Sequence, residues 1–80
     1  MKLYLKSGQV VELKDCHTIT LNHVTYGVDK FYDEAIDNSY ISRANIYMLC
    51  LEYKNNKIEF YYDMTKTFCT NTDNIVGIEV

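Results

Sequence analysis

Apolar and polar positions alternate with a period of two along most of the 80 residues, the period of strands that bury one face. The first such stretch runs from Met1 to Leu13. Lys6-Ser7-Gly8 supply a three-residue loop with Gly8 in the left-handed region, which sets Leu3 against Val11, Met1 against Leu13 and Lys2 against Glu12. Apolar pairs then share one face and opposite charges the other. A two-residue Ser7-Gly8 loop would put Leu3 against Glu12, a poorer match.

From His17 to Val28, Ile19, Leu21, Val24, Tyr26 and Val28 alternate with threonines, but the parity slips at Asn22-His23. A bulge or a tight turn there restores the phase, so this stretch reads as one bent strand or a pair. A second hairpin is expected over Ile46 to Asp63 around Asn55-Asn56, pairing Tyr53 with Ile58, Leu51 with Phe60 and Leu49 with Tyr62. On its other face, diagonal pairs Lys54–Glu59 and Lys57–Glu52 would relieve like charges. Thr65 to Asn74 reads as a polar stretch anchored by Phe68. Asp73-Asn74 then turns the chain into a closing strand, Ile75 to Val80, in which Gly77 marks a bulge or a close approach.

Between Gly27 and Ser39 the period changes. Val28, Tyr32, Ala35, Ile36 and Tyr40 recur at three- and four-residue steps, which predicts a short helix near 29–38 with Asp29 as its N-cap or in its first turn. The expected fold class is mainly β: a five- to six-stranded antiparallel sheet curled towards a small barrel, with this helix across an open side. Residues 1–80 form one domain in this reading.

Charge sharpens the picture at that helix. The chain carries 11 acidic and 8 basic side chains, a net charge of −3. Residues 29–37 hold Asp29, Asp33, Glu34 and Asp37 against Lys30, so the remainder has 7 acids and 7 bases. On a helix, Asp29, Asp33 and Asp37 form one stripe about 6 Å apart per step. An ordinary solvated face explains such a stripe; so does an electronegative patch that docks on a basic protein groove of the kind that holds nucleic acid. The acidic balance disfavours nucleic acid as a direct partner.

Other chemistry is sparse. Three carboxylates spread over two helical turns do not converge on a metal ion, and Cys16, His17, His23, Cys50 and Cys69 lack the paired spacing of a zinc site. No cofactor or metal is expected, and no catalytic motif stands out. The longest apolar run, Tyr47 to Leu51, is far short of the ~20 residues of a membrane span. No signal-peptide pattern follows Met1, and the three cysteines suit a reducing compartment, so a cytoplasmic location is expected. Eight tyrosines exceed what a small core hides with every hydroxyl satisfied, which brings Tyr61 and one of Tyr32 or Tyr40 towards the surface.

The opening Lys2 to Leu13 and the ending Asp73 to Val80 resemble the first hairpin and last strand of small Sm-like or SH3-like barrels. Similar ends occur in short proteins encoded by phages and prophages of low-GC Gram-positive bacteria. The 29–45 insertion departs from a plain Sm pattern, and no RNA-binding Sm motif is present. The resemblance implies a non-enzymatic accessory protein, such as an anti-CRISPR-type inhibitor of a host defence nuclease. The expected site is Asp29, Tyr32, Asp33, Glu34, Asp37 and Tyr40, facing a protein partner. The competing readings are a nucleic-acid-binding small barrel and an assembly subunit that forms homo-oligomers by pairing at a sheet edge.

Overall fold

The first hairpin forms in the register that its alternation demands. In a computed structural model that describes residues 1–28 and 40–80, β1 (Lys2–Leu5) pairs antiparallel with β2 (Val10–Glu12). Lys2 faces Glu12 and Leu3 faces Val11. The Leu13 N–H donates to the Met1 carbonyl at 2.8 Å, and Gly8 takes φ +92° in the loop. A side chain at that φ would strain the backbone, so glycine closes the turn.

The slip at Asn22-His23 is a tight turn. Both residues take positive φ, 53° and 65°, and join β3 (Thr18–Leu21) to β4 (Val24–Val28) as a two-residue hairpin with Leu21 facing Val24. That twist suits right-handed strands. At the far end, β8 (Ile75–Glu79) pairs antiparallel with β1. Its register shifts between Tyr4 and Leu5, leaving Val76 as the extra, bulged residue beside Gly77.

The segment from 46 to 63 differs from expectation. Arg43–Asn45 form a 3-10 turn capped by Ser42, whose Oγ accepts from the Ala44 N–H at 3.3 Å, and the chain continues as α1 (Ile46–Glu52). A continuous apolar run suits a buried strand or a helix equally, and Ala44, Met48, Leu49 and Leu51 favour helix. Ile46 and Cys50, four residues apart, are buried, with Tyr47, Leu49 and Tyr53 packed on the same core. Cys50 is thus a buried apolar group on a helix rather than in a strand. The expected pairs of Tyr53, Leu51 and Leu49 across a hairpin are absent.

Ile58 and Phe60 lie instead on β6 (Lys57–Tyr62), between β3 and a strand that was expected to be a polar loop. This is β7 (Lys66–Asn71), joined to β6 by a turn in which Asp63 and Met64 have positive φ. Phe68 faces Phe60, with ring centroids 6.4 Å apart. Lys57 pairs with Glu59 along its own strand at 3.7 Å, replacing the diagonal pairs expected of the lost hairpin.

The result is mainly β, as expected, but arranged as two sheets and not one curled sheet. One has the order β2-β1-β8; the other runs β5-β4-β3-β6-β7, where β5 (Tyr40–Ile41) lies parallel to β4. Among the described residues no strand ladder closes them into a barrel. The helix expected at 29–38, with its cap at Asp29, lies outside the described residues. Both sheets and α1 bury their apolar faces in one core: Leu3, Leu13, Cys16, Ile19, Leu21, Val28, Ile46, Cys50, Ile58, Phe60 and Ile75. Each fully buried aliphatic side chain there contributes about 1.5–3 kcal/mol.

Candidate protein-binding surface

Backbone pairing places the residues that flank the acidic segment. The chain leaves β4 at Val28 and returns at Tyr40, and the parallel register sets Gly27 beside Tyr40 and Val28 beside Ile41. The two strands that flank residues 29–39, β4 and β5, are therefore neighbours at one edge of the five-stranded sheet. Val28 is fully buried, whereas Tyr40 is 48% exposed. Of the expected site residues, Asp29, Tyr32, Asp33, Glu34 and Asp37 lie outside the described residues, and Tyr40 alone is placed. It stands at the surface, as the tyrosine count required.

The rest of the molecule offers no competing concentration of charge by number, since its 7 acids match its 7 bases. Its tyrosines are mostly engaged. Tyr26, Tyr47, Tyr53 and Tyr62 are half-buried against the core. Tyr61, expected at the surface, lies half-buried on the outer side of its sheet. Its hydroxyl donates to Glu59 Oε2 at 3.1 Å, and burial, followed by this bond, raises its pKa. Tyr4 donates to Glu79 Oε2 at 2.5 Å, and that bond is the main reason its pKa is raised. Its ring lies over Gly77, where an added Cβ would meet Tyr4 Cδ2 at 3.8 Å.

A second surface feature escaped the sequence. A cleft of about 300 Å³ is lined by Thr20, Asn22, His23, Asn56, Lys57 and Glu59. Asn22, His23 and Asn56 are legible as turn residues and Lys57 and Glu59 as an outward strand face, but nothing local joins them. The cleft depends on β3 lying beside β6, a non-local pairing that alternation alone does not specify.

Burial sets the thiol chemistry. It pushes Cys16 and Cys50 up to about 11, which keeps both protonated and poor nucleophiles at neutral pH. Cys69, expected in a loop, is exposed on β7. Among the described residues no three His, Cys, Asp or Glu side chains gather as metal ligands, and no helix is long and apolar enough to cross a membrane. Comparison with family models, curated proteins and solved structures finds no match for the chain.

Proposed function

We propose that this protein is a non-enzymatic binding module that docks on a basic protein surface through Asp29, Tyr32, Asp33, Glu34, Asp37 and Tyr40. The observation that supports this reading is the anchoring of the acidic segment. All of the net charge belongs to a stretch flanked by β4 and β5, which pair side by side with Gly27 facing Tyr40 and Val28 facing Ile41. A negative potential concentrated at one place steers encounter with a positive groove, and an exposed tyrosine beside it supplies contact area at little entropic cost. A partner whose groove evolved to hold nucleic acid, such as a host defence nuclease, fits that chemistry. The pairing of the last strand with the first, entered through a 3-10 turn, supports the resemblance to small Sm-like or SH3-like proteins of phages.

The test is the double variant Asp33→Lys and Asp37→Lys, compared with wild type by quantitative capture of partners from a bacterial lysate at two salt concentrations. Basic proteins retained by wild type, released by salt and lost by the variant, with an unchanged melting curve, support the reading. Capture of the same proteins by both forms overturns it.

A further inference from the structure

Among the described residues the sheets have four edge strands, and three of them are poor templates for pairing. β2 and β5 are three and two residues long, and β8 is bulged at Val76. Short edges and bulges are the ordinary means of blocking edge-to-edge association. β7 has neither. It runs six residues in unbroken register with β6, and among the described residues nothing pairs its outer side.

The groups on that outer side follow from the ladder. The Thr72 N–H donates to the Asn56 carbonyl at 2.8 Å, and hydrogen-bonded positions alternate along an antiparallel pair. Thr70, Phe68 and Lys66 therefore turn their N–H and C=O groups to β6, while Asn71, Cys69 and Thr67 turn theirs outward. The two-residue hairpin at Leu21 and Val24 gives the same phase when it is propagated through β3 and β6. Asn71, Cys69 and Thr67 carry no charge, and Thr67 and Cys69 are exposed.

We propose that a second copy of this chain pairs with β7 antiparallel about a two-fold axis at Cys69, joining two five-stranded sheets into one. In that register Cys69 faces Cys69 of the other copy and Thr67 faces Asn71, each pair exchanging N–H and C=O groups. Lys66, the one charged residue of the strand, falls opposite Thr72 and next to Asp73 of the other copy. No like charges meet. The same strand thus complements itself, as a two-fold interface requires. The inference does not depend on the acidic segment, whose flanking strands β4 and β5 lie at the opposite edge of the sheet.

Sedimentation equilibrium of the whole chain under reducing conditions tests it, across protein concentrations up to the order of 1 mM. The expected result is a mass that rises with concentration towards twice the 9.4 kDa of one chain. Cys69→Lys sets two ammonium groups face to face at the axis and should weaken association by about fivefold or more, with the melting curve of dilute protein unchanged. Val10→Lys, on the β2 edge, should leave association as it is. A constant monomer mass, or a dimer insensitive to Cys69→Lys, overturns the proposal. So does a dimer lost through Val10→Lys.

Discussion

The chain passes between its two sheets twice, and the two joints are fastened by different means. Between β2 and β3 the fastening is mostly main chain. The Asp63 N–H donates to the Lys14 carbonyl at 3.2 Å and the His17 N–H to the Tyr61 carbonyl at 3.0 Å, while Cys16 fills the space beneath at 2% exposure. Between β7 and β8 side chains add to the main chain, where the Thr72 N–H donates to the Asn56 carbonyl at 2.8 Å and the Lys6 N–H to the Asn74 carbonyl at 2.7 Å. Thr72, 3% exposed, donates its hydroxyl to the Tyr53 carbonyl at 2.7 Å and accepts from the Asn56 N–H at 3.2 Å. Asp73 Oδ1 accepts from the Asn55 N–H at 3.0 Å, and Asn71 Oδ1 caps the turn by accepting from the Asp73 N–H at 2.9 Å. Main-chain bonds survive substitution; side-chain bonds do not. The second joint therefore depends on residue identity in a way the first does not.

The largest effect expected is at Thr72. Thr72→Val keeps the shape but leaves the Tyr53 carbonyl and the Asn56 N–H without their partner in a nearly dry site, costing about 2–4 kcal/mol. A domain of this size without disulfides has only about 3–5 kcal/mol from its core, so the variant should be largely unfolded at moderate temperature. Chemical denaturation of wild type, Thr72→Val and Thr72→Ser measures this. Serine keeps both bonds and should recover most of the loss. Equal losses in both variants would show that the methyl group matters more than the hydroxyl.

The first joint responds to pH through Cys16. An unfolded thiol titrates near its ordinary value of 9.0, whereas burial raises the folded one to about 11. The folded state then holds the proton more tightly, so its advantage is complete below pH 9 and falls as pH rises from 9 to 11. The slope is about 1.4 kcal/mol per pH unit for each such thiol. Cys50 adds a second equal slope, and the raised tyrosines, Tyr4, Tyr26 and Tyr61, act in the same direction above pH 10. Cys16→Ala removes one thiol and leaves the rest. Denaturation midpoints between pH 8 and 10.5 should fall less steeply in the variant; parallel curves would mean that this joint opens to water.

The contrast between the joints also explains what could be read in advance. The β1–β2 pairing is legible because Gly8 marks its turn, and the β3–β4 pairing in part, since the slip at Asn22-His23 suits a bulge or a turn; alternation sets the faces of Leu3, Val11, Ile19 and Leu21. The second joint was visible only as turn-forming residues at Asp73-Asn74, since the partners of Thr72 are some sixteen to nineteen residues away. α1 resembles a strand in sequence because Tyr47 to Leu51 is apolar throughout, and the helix signal is confined to the cap at Ser42. β7 resembles a loop in sequence because its turn at Asp63-Met64 lacks glycine and Phe68 is its one large apolar residue. The candidate surface was legible as charge, and its anchoring at Gly27 and Tyr40 was not, because parallel pairing joins residues that no local pattern connects.

The smallest effects expected lie at Lys14 and Asp15, and they test the main-chain fastening most directly. The Lys14 side chain is exposed and only its carbonyl serves the joint, so Lys14→Ala should change stability by less than about 0.5 kcal/mol. Asp15 has φ 55°, a left-handed conformation that glycine adopts without strain. Asp15→Gly relieves that strain but frees the unfolded chain by a similar amount, leaving a net change within about 0.5 kcal/mol of zero. Thr72→Val in the same denaturation series provides the scale. A loss at Lys14 or Asp15 approaching the Thr72 value would mean that a side chain also secures the first joint, and the two joints would then differ only in which residues they use.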